Sequence, residues 1–326
     1  MIINLYSENA KYHTVIKRGL LNHLNNYLNF SKKILLVVDK NIRSTFYNKF
    51  FKDDTIFKVT ATEKNKTIEI VMEIIKILTT NKFSRDDYIV SLGGGITSDI
   101  VGFAASIYKR GMKWISIPTT TLAMIDASVG GKTAVNYQNI KNQIGNFYFP
   151  EKVLIDINVL KTLDERNFNN GLCEAVKMGI TLDKSILDLM IDPHKNLAKI
   201  IEKSIKAKNR IVKLDMKDHN ARHVLNYGHT IGHAIEMIDD NLLHGEAVLI
   251  GMYYLSTPKI KQIIKSYIEK FGVVDRCYEF DQLIPYLLQD KKIEENKFKL
   301  VKVNDIHDYT INDMNLADLK MIYERR

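Results

Sequence analysis

Four of the nine histidines, His223, His229, His233 and His244, lie between Arg222 and Glu246. An imidazole is a common metal ligand and titrates near neutral pH, so a cluster of them points to metal binding or proton transfer. Counted along a helix, Arg222, Asn226, His229 and His233 share one face, while Val224, Leu225, Ile231, Ile235 and Ile238 occupy the others. The spacing predicts helix through this stretch, a break at Asp239-Asp240-Asn241, and a second apolar helix opening at His244-Gly-Glu-Ala-Val. Two imidazoles one turn apart, with a third returned by a neighbouring helix, can hold a divalent metal. The plainer alternative is a set of buried or helix-capping histidines. Arginine and asparagine on the same face favour a site.

Other candidates lie elsewhere in the second half. Asn170-Gly-Leu-Cys-Glu174-Ala-Val-Lys177 puts Glu174 and Lys177 on one helical face, as an exposed ion pair of little consequence or as part of the site. Around 198–215, Lys208 interrupts an apolar stripe of Ile201, Ile205 and Val212; it either snorkels to water or serves a site. With Arg110, Lys132 and Arg222, these lysines form a cationic set suited to phosphate or carboxylate.

The first half supplies a different kind of element. Ile34–Val38, Ile56–Ala61, Tyr88–Leu92 and Trp114–Ile117 read as buried strands, and Thr67–Thr80 and Thr97–Tyr108 as helices. Their alternation predicts a parallel α/β sheet. The third strand runs into Gly93-Gly-Gly95-Ile-Thr-Ser-Asp99 and then a helix, a turn that lets backbone N–H groups and the helix dipole meet a phosphate. It is neither G-x-G-x-x-G nor a Walker A loop. Asp39, at the end of an earlier strand, is placed to take ribose hydroxyls. The charged, glycine-bearing stretch from Asp126 to Gly145 reads as the lining of a cavity, with a plain surface loop as the alternative. Val153–Asp156 gives one more short strand, and Phe298–Val303 another in an otherwise helical second half. The fold expected is an α/β nucleotide-binding domain over 1–155 and a mainly α-helical metal and substrate domain over 156–326.

Composition narrows the function class. Hydrophobic residues make up 45% and charged residues 26%, as in soluble globular proteins. No apolar run approaches the roughly 20 residues that span a bilayer, and the opening segment lacks a signal-peptide pattern. Two cysteines make no disulfide framework, so a cytoplasmic protein without a membrane partner is expected. The net charge of +9 is spread along the chain without a nucleic-acid motif, so no nucleic-acid partner is expected.

Taken together, Glu63-Lys-Asn-Lys66, G-G-G-x-T-x-D ending at Asp99, Lys109-Arg110-Gly111, P-T-T-x-L, D-A-S-V-G-G-K-T-A-V-N, K-N-x-I-G-x-F, G-x-x-E-x-x-K, L-N-x-G-H-T-x-G-H-A-I-E and H-G-E-A-V closely resemble the 3-dehydroquinate synthase family, over roughly residues 30–303. The resemblance implies a carbon–oxygen lyase of the shikimate pathway of aromatic amino acid biosynthesis, which turns 3-deoxy-D-arabino-heptulosonate 7-phosphate into 3-dehydroquinate and phosphate. Transient oxidation by NAD, β-elimination of phosphate, reduction, ring opening and aldol closure would follow one another in one site. It implies NAD, a divalent metal (zinc, with cobalt as the alternative) and a homodimer.

By the same resemblance Glu174, His229 and His244 would hold the metal. NAD would meet Asp39, Asn41, Glu63, Lys66, Gly94, Gly95, Ile96, Asp99, Thr119, Thr120, Lys132, Lys141 and Thr162. His233, Lys132, Asn142 and Arg110 would be catalytic, and Asp126, Lys177, Lys208, Arg222, Asn226 and Lys291 would bind substrate. The chain departs from the family pattern at Asp164 (usually Pro), at Cys173 (usually Ala), in the reduced acidic run Asp215-Met-Lys-Asp218, and in a short turn before His244. Cyclases that make inososes or valiolones, and metal-dependent polyol dehydrogenases, are the rival readings.

Overall fold

The computed structural model describes residues 1–7, 10–138, 140–274, 276–288 and 297–324. Lys291 lies outside the described residues. The chain forms two compact units, Met1–Leu163 and Asp164–Arg326.

The first unit runs β1 (Ile2–Ser7), β2 (Ala10–Ile16), β3 (Ile34–Asp39), β4 (Ile56–Val59), α1 (Ile68–Thr80), β5 (Tyr88–Gly93), α2 (Gly95–Ile107), β6 (Lys113–Pro118), β7 (Lys132–Tyr137), β8 (Ile140–Phe147) and β9 (Lys152–Ile155). Seven strands make one sheet in the order β1-β2-β9-β6-β5-β3-β4. All its neighbours are parallel except the β1–β2 hairpin. The β5 strand is buried along its whole length and β3 along all but its last residue, which is why both read as unbroken apolar runs. Val71, Ile74 and Leu78 of α1 and Ile100, Val101 and Phe103 of α2 pack with Val37, Ile89 and Trp114 in one core cluster.

The chain leaves β3 for β4 on one side and returns to β5 on the other. Such a reversal opens a ligand crevice at the carboxyl ends of the strands. The register pairs Val38 with Leu92 and Gly93 with Pro118, so Asp39, the glycine turn and Thr119 leave the sheet along one edge.

Two hairpins in this unit differ from the expected elements. The stretch read as a cavity lining contains the antiparallel pair β7–β8, which packs on α2. Thr133 and Val135 are buried while Lys132 and Tyr137 are exposed, a strand alternation too short to stand out among the surrounding glycines. The β1–β2 hairpin was hidden by polar residues at Asn4, Lys11 and His13; it joins the sheet through β9. Residues 156–163 pack with the first unit because the Asp156 carboxylate accepts hydrogen bonds from Gly19 N at 2.8 Å and Leu21 N at 2.9 Å.

The second unit runs α3 (Glu165–Thr181), α4 (Ser185–Leu189), α5 (Pro193–Leu214), α6 (His229–Ile238), α7 (His244–Tyr254), α8 (Pro258–Phe271), α9 (Phe280–Leu287), β10 (Phe298–Asp305), β11 (Asp308–Met314) and α10 (Leu316–Glu324). It is mainly helical, as expected, with one antiparallel hairpin whose β11 strand was not anticipated. From Asn170 to Thr181, α3 is buried on every face, and α7 nearly so, which makes them the centre of this unit.

Candidate metal centre and cofactor edge

Three helices bring the metal-type residues together. Asp164, standing where the family pattern has Pro, caps α3 by accepting from Asn167 N at 2.9 Å, so the departure supplies a helix start by another route. Near the start of α3, Arg166 grips Glu246 of α7 in a two-point ion pair, Nε to Oε1 at 2.8 Å and Nη2 to Oε2 at 2.7 Å. Glu246 Oε2 also accepts from Leu243 N at 2.9 Å, capping α7 one residue before His244. One turn further along α3, Asn170 Oδ1 accepts from Gly245 N at 2.6 Å. A Cβ at Gly245 would lie 2.1 Å from Asn170 O, so only glycine lets α7 start this close to α3.

Helix α6 meets α7 as closely. Gly228 stands at φ +80°, and a Cβ there would lie 2.5 Å from both Val248 O and Met252 Cγ of α7. This contact corrects the helix expected from Arg222 onward. A 3₁₀ turn covers Ala221–Asn226, the chain reverses at Tyr227-Gly228, and α6 begins at His229. Arg222 and Asn226 therefore do not share a helical face with His229 and His233. The apolar spacing ran on through a glycine that leaves the helix, which periodicity cannot register.

The result is a compact cluster. The Nε2 atoms of His229 and His244 lie 3.7 Å and 3.9 Å from Glu174 Oε1. Glu174 is fully buried, and neither of its oxygens accepts a hydrogen bond among the described residues. Lys177 Nζ lies against Oε2 as a close charge contact, so the pair is buried rather than the exposed one the spacing allowed. The Nδ1 atoms of the two histidines are engaged away from the carboxylate, His229 with Tyr227 O at 3.2 Å and His244 with Glu236 Oε2 at 3.2 Å. Burial works to lower the His244 pKa, but the hydrogen bond and charge of Glu236, with the charge of Glu174, hold it above the ordinary imidazole value.

A tetrahedral metal with bonds of about 2.0–2.2 Å needs donor atoms about 3.4 Å apart. The two distances from Glu174 Oε1 are close to this, and with Oε2 against Lys177 it is Oε1, buried and accepting no hydrogen bond among the described residues, that suits a metal. The residues fit a divalent metal. His229, His233 and His244 also offer nitrogen atoms within 4.8 Å of one another. His233 is exposed, however, and the buried anion lies with the other two imidazoles.

In the same unit Lys208 of α5 and Arg222 of the 3₁₀ turn are buried. The Asp215 carboxylate holds the turn that carries Arg222, accepting from His219, Asn220 and Arg222 N–H groups at 3.0, 2.6 and 3.1 Å. Burial raises the Asp215 pKa, but those three donors outweigh it and bring it to about 2. Arg222 Nη1 donates to Met216 O at 2.8 Å, and Asn226 lies against His223 at 3.4 Å.

In the first unit a second network forms on its own. Lys66, 5% exposed, donates to Asp99 Oδ2 and Asn142 Oδ1, each at 2.5 Å. Asn136, to which the sequence reading gave no role, ties this network together. Its Nδ2 donates to Glu63 Oε1 at 2.8 Å, and its Oδ1 accepts from Asn142 N at 2.8 Å. Asp39, Asn41, Gly94, Gly95, Ile96, Thr119 and Thr120 sit at the carboxyl edge, where Asp39 accepts from Asn41 N and Thr120 Oγ1 from Ala123 N. Asp126 lies in the turn Ala123–Ala127, and Thr162 ends the 3₁₀ turn Ile157–Thr162. Lys132 stands at the base of the β7–β8 hairpin, and Lys141 and Asn142 stand toward its tip. Arg110 is not brought to this group within the unit. It follows the far end of α2, about 20 Å of helix from the glycine turn.

The 3-dehydroquinate synthase N-terminal family profile matches residues 56–170, and the C-terminal profile matches residues 171–293. The chain belongs to the 3-dehydroquinate synthase family. A 3-dehydroquinate synthase of Picrophilus torridus is 38% identical over 302 residues, 88% of each chain. One from Campylobacter concisus is 40% identical over 281 residues, 81% of each chain. Among solved structures, 2-deoxy-scyllo-inosose synthase complexed with carbaglucose-6-phosphate, NAD+ and Co2+ superposes with a TM-score of 0.85 at 21% identity, over 99% of this chain and 100% of that one. The 2-epi-5-epi-valiolone synthase of Streptomyces hygroscopicus, with NAD+ and Zn2+ bound, gives 0.84 at 24% identity, over 98% and 99%. These two share the fold of the 3-dehydroquinate synthase family.

Proposed function

We propose that the chain converts 3-deoxy-D-arabino-heptulosonate 7-phosphate to 3-dehydroquinate and phosphate, with NAD and a divalent metal as resident cofactors. The observation that carries the reading is the buried Glu174 carboxylate facing two imidazole nitrogens, in a chain of this family. When bound, NAD supplies reversible oxidation at the substrate's C5 hydroxyl and the metal supplies Lewis acidity at that oxygen.

Glu174, His229 and His244 would hold the metal, and one carboxylate with two imidazoles suits either zinc or cobalt. Asp39 accepts from the ribose hydroxyls, while the amino end of α2 at Gly94–Ile96 receives the cofactor's phosphates. Lys66 keeps Asp99 and Asn142 in register at this edge. Lys208 and Arg222, already removed from water, clamp the substrate's carboxylate end with little further desolvation. Lys132 and Asn142 bind its phosphate. His233, exposed and one turn from His229, moves the proton at the C5 oxygen. The resemblance adds a cytoplasmic homodimer, which light scattering of the purified protein tests for assembly.

The deciding experiment measures phosphate release from the heptulosonate phosphate with and without a chelator, and identifies the carbocyclic product. Chelator-sensitive release with 3-dehydroquinate as product is the expected result. A different carbocycle from another sugar phosphate would assign the chain to the inosose or valiolone branch. Net accumulation of NADH with a polyol would assign it to the dehydrogenases.

A further inference from the structure

Helix α6 presents His229, His233 and Glu236 at steps of four and three residues, so one helical face carries a ligand-type imidazole and, two turns on, a carboxylate. That carboxylate reaches across to the first residue of α7, with Glu236 Oε2 lying 3.2 Å from His244 Nδ1. The other ring nitrogen, Nε2, faces Glu174 Oε1 at 3.9 Å. An imidazole has two nitrogens and can turn either one toward a cation. A carboxylate held on Nδ1 requires the proton there and leaves the Nε2 lone pair facing the buried carboxylate.

His229 is fixed in the same sense by a different device. Its Nδ1 lies 3.2 Å from Tyr227 O, a backbone carbonyl aimed by the reversal at Gly228. The Tyr227 ring is buried and its hydroxyl bonds to Ser256 Oγ, which holds that carbonyl in place. His229 is therefore oriented by backbone, which substitution leaves largely unchanged, whereas His244 Nδ1 meets a side chain that substitution can remove.

We propose that Glu236 is a positioning residue for the metal centre, fixing the ring of His244 with Nε2 toward Glu174 and raising its strength as a ligand. The inference rests on Glu174, His229 and His244 being the metal site. Carboxylates behind ligand histidines typically change metal affinity about 10- to 100-fold when removed.

The test uses the full-length protein stripped of metal and titrated with Zn2+ against a chromophoric chelator, with no substrate or NAD present. Glu236→Ala should weaken Zn2+ binding about 10- to 100-fold, and Glu236→Gln, which keeps the size and one acceptor oxygen, should weaken it less. The visible absorption of Co2+-loaded Glu236→Ala should differ from wild type, because His244 no longer holds one orientation. A role confined to folding would lower the melting temperature of the metal-free variant and leave the spectrum of the loaded protein unchanged. Should Glu236→Ala fail to fold, Glu236→Gln decides the matter alone. Wild-type affinity and an unchanged Co2+ spectrum in the folded variants overturn the proposal. The underlying site is checked separately with His229→Ala: if that variant binds Zn2+ as wild type does, the metal assignment itself fails.

Discussion

Glu174 poses an electrostatic problem, because its carboxylate is fully buried with Lys177 against Oε2, while Oε1 accepts no hydrogen bond among the described residues. Removing one member of a buried ion pair costs about 3–5 kcal/mol, since the other is left charged and dry. Glu174→Gln should therefore lose metal and also lower the denaturation midpoint of the metal-free protein, as metal analysis and urea unfolding would record. His233→Ala separates the two donor sets that the geometry offers. It should keep stoichiometric metal while kcat falls; loss of metal would make the three imidazoles the binding set. Asp215 gives a pH signature. Its folded pKa of about 2 lies below the ordinary value of about 3.9, so its contribution is present above pH ~4 and is lost as pH falls toward 2. Asp215→Asn should flatten the stability profile between these limits and, by loosening the turn that carries Arg222, raise KM for the substrate.

At the scale of elements, the meeting of α6 and α7 sets the histidine spacing. Gly228→Ala places a Cβ at φ +80° and 2.5 Å from a carbonyl oxygen, so it should cost at least the ~1–3 kcal/mol of left-handed strain and weaken metal binding as the helices part. Gly272 offers a matched control. It has φ +66°, and a Cβ there would meet no heavy atom within 4 Å, so Gly272→Ala should show the backbone strain alone and leave metal affinity unchanged. Comparing melting temperature and metal affinity across the two variants separates strain from helix contact. The Arg166–Glu246 pair and the Asn170–Gly245 bond act similarly on α7, which explains why the H-G-E run holds a glycine and a glutamate beside His244.

Over the whole molecule, the two proposed sets of binding residues fall in separate units. The α/β unit holds the glycine turn and the Lys66–Asp99–Asn142 network, and the helical unit holds the Glu174–His229–His244 cluster. Ligand binding stabilises the state that binds, so protection should follow the ligand. In hydrogen exchange, NAD should slow amides around 39–41 and 93–99, and Zn2+ should slow those around 170–178 and 228–246. Uniform protection by either ligand alone would contradict this division.

The parallel sheet was legible in the chain alone, since β3, β5 and β6 are apolar runs long enough to be read one by one, and the sheet's burial forces such runs. The sequence also showed that α7 opens at His244 and that Lys208 sits in the buried stripe of α5. Its ordered motifs pointed to the family without any geometry. What it did not determine depends on contacts distant along the chain. The β7–β8 hairpin exists because it packs on α2, a neighbour roughly 30 residues earlier in the chain. The break at Gly228 exists because α7 lies against it, and the helical period carries no trace of that contact. Glu236 and Asn136 stood in motifs as letters without roles; only the tertiary structure placed one behind His244 and the other between Glu63 and Asn142. Periodicity records which face of an element is buried, while a site is made by which elements meet, and that is decided by packing.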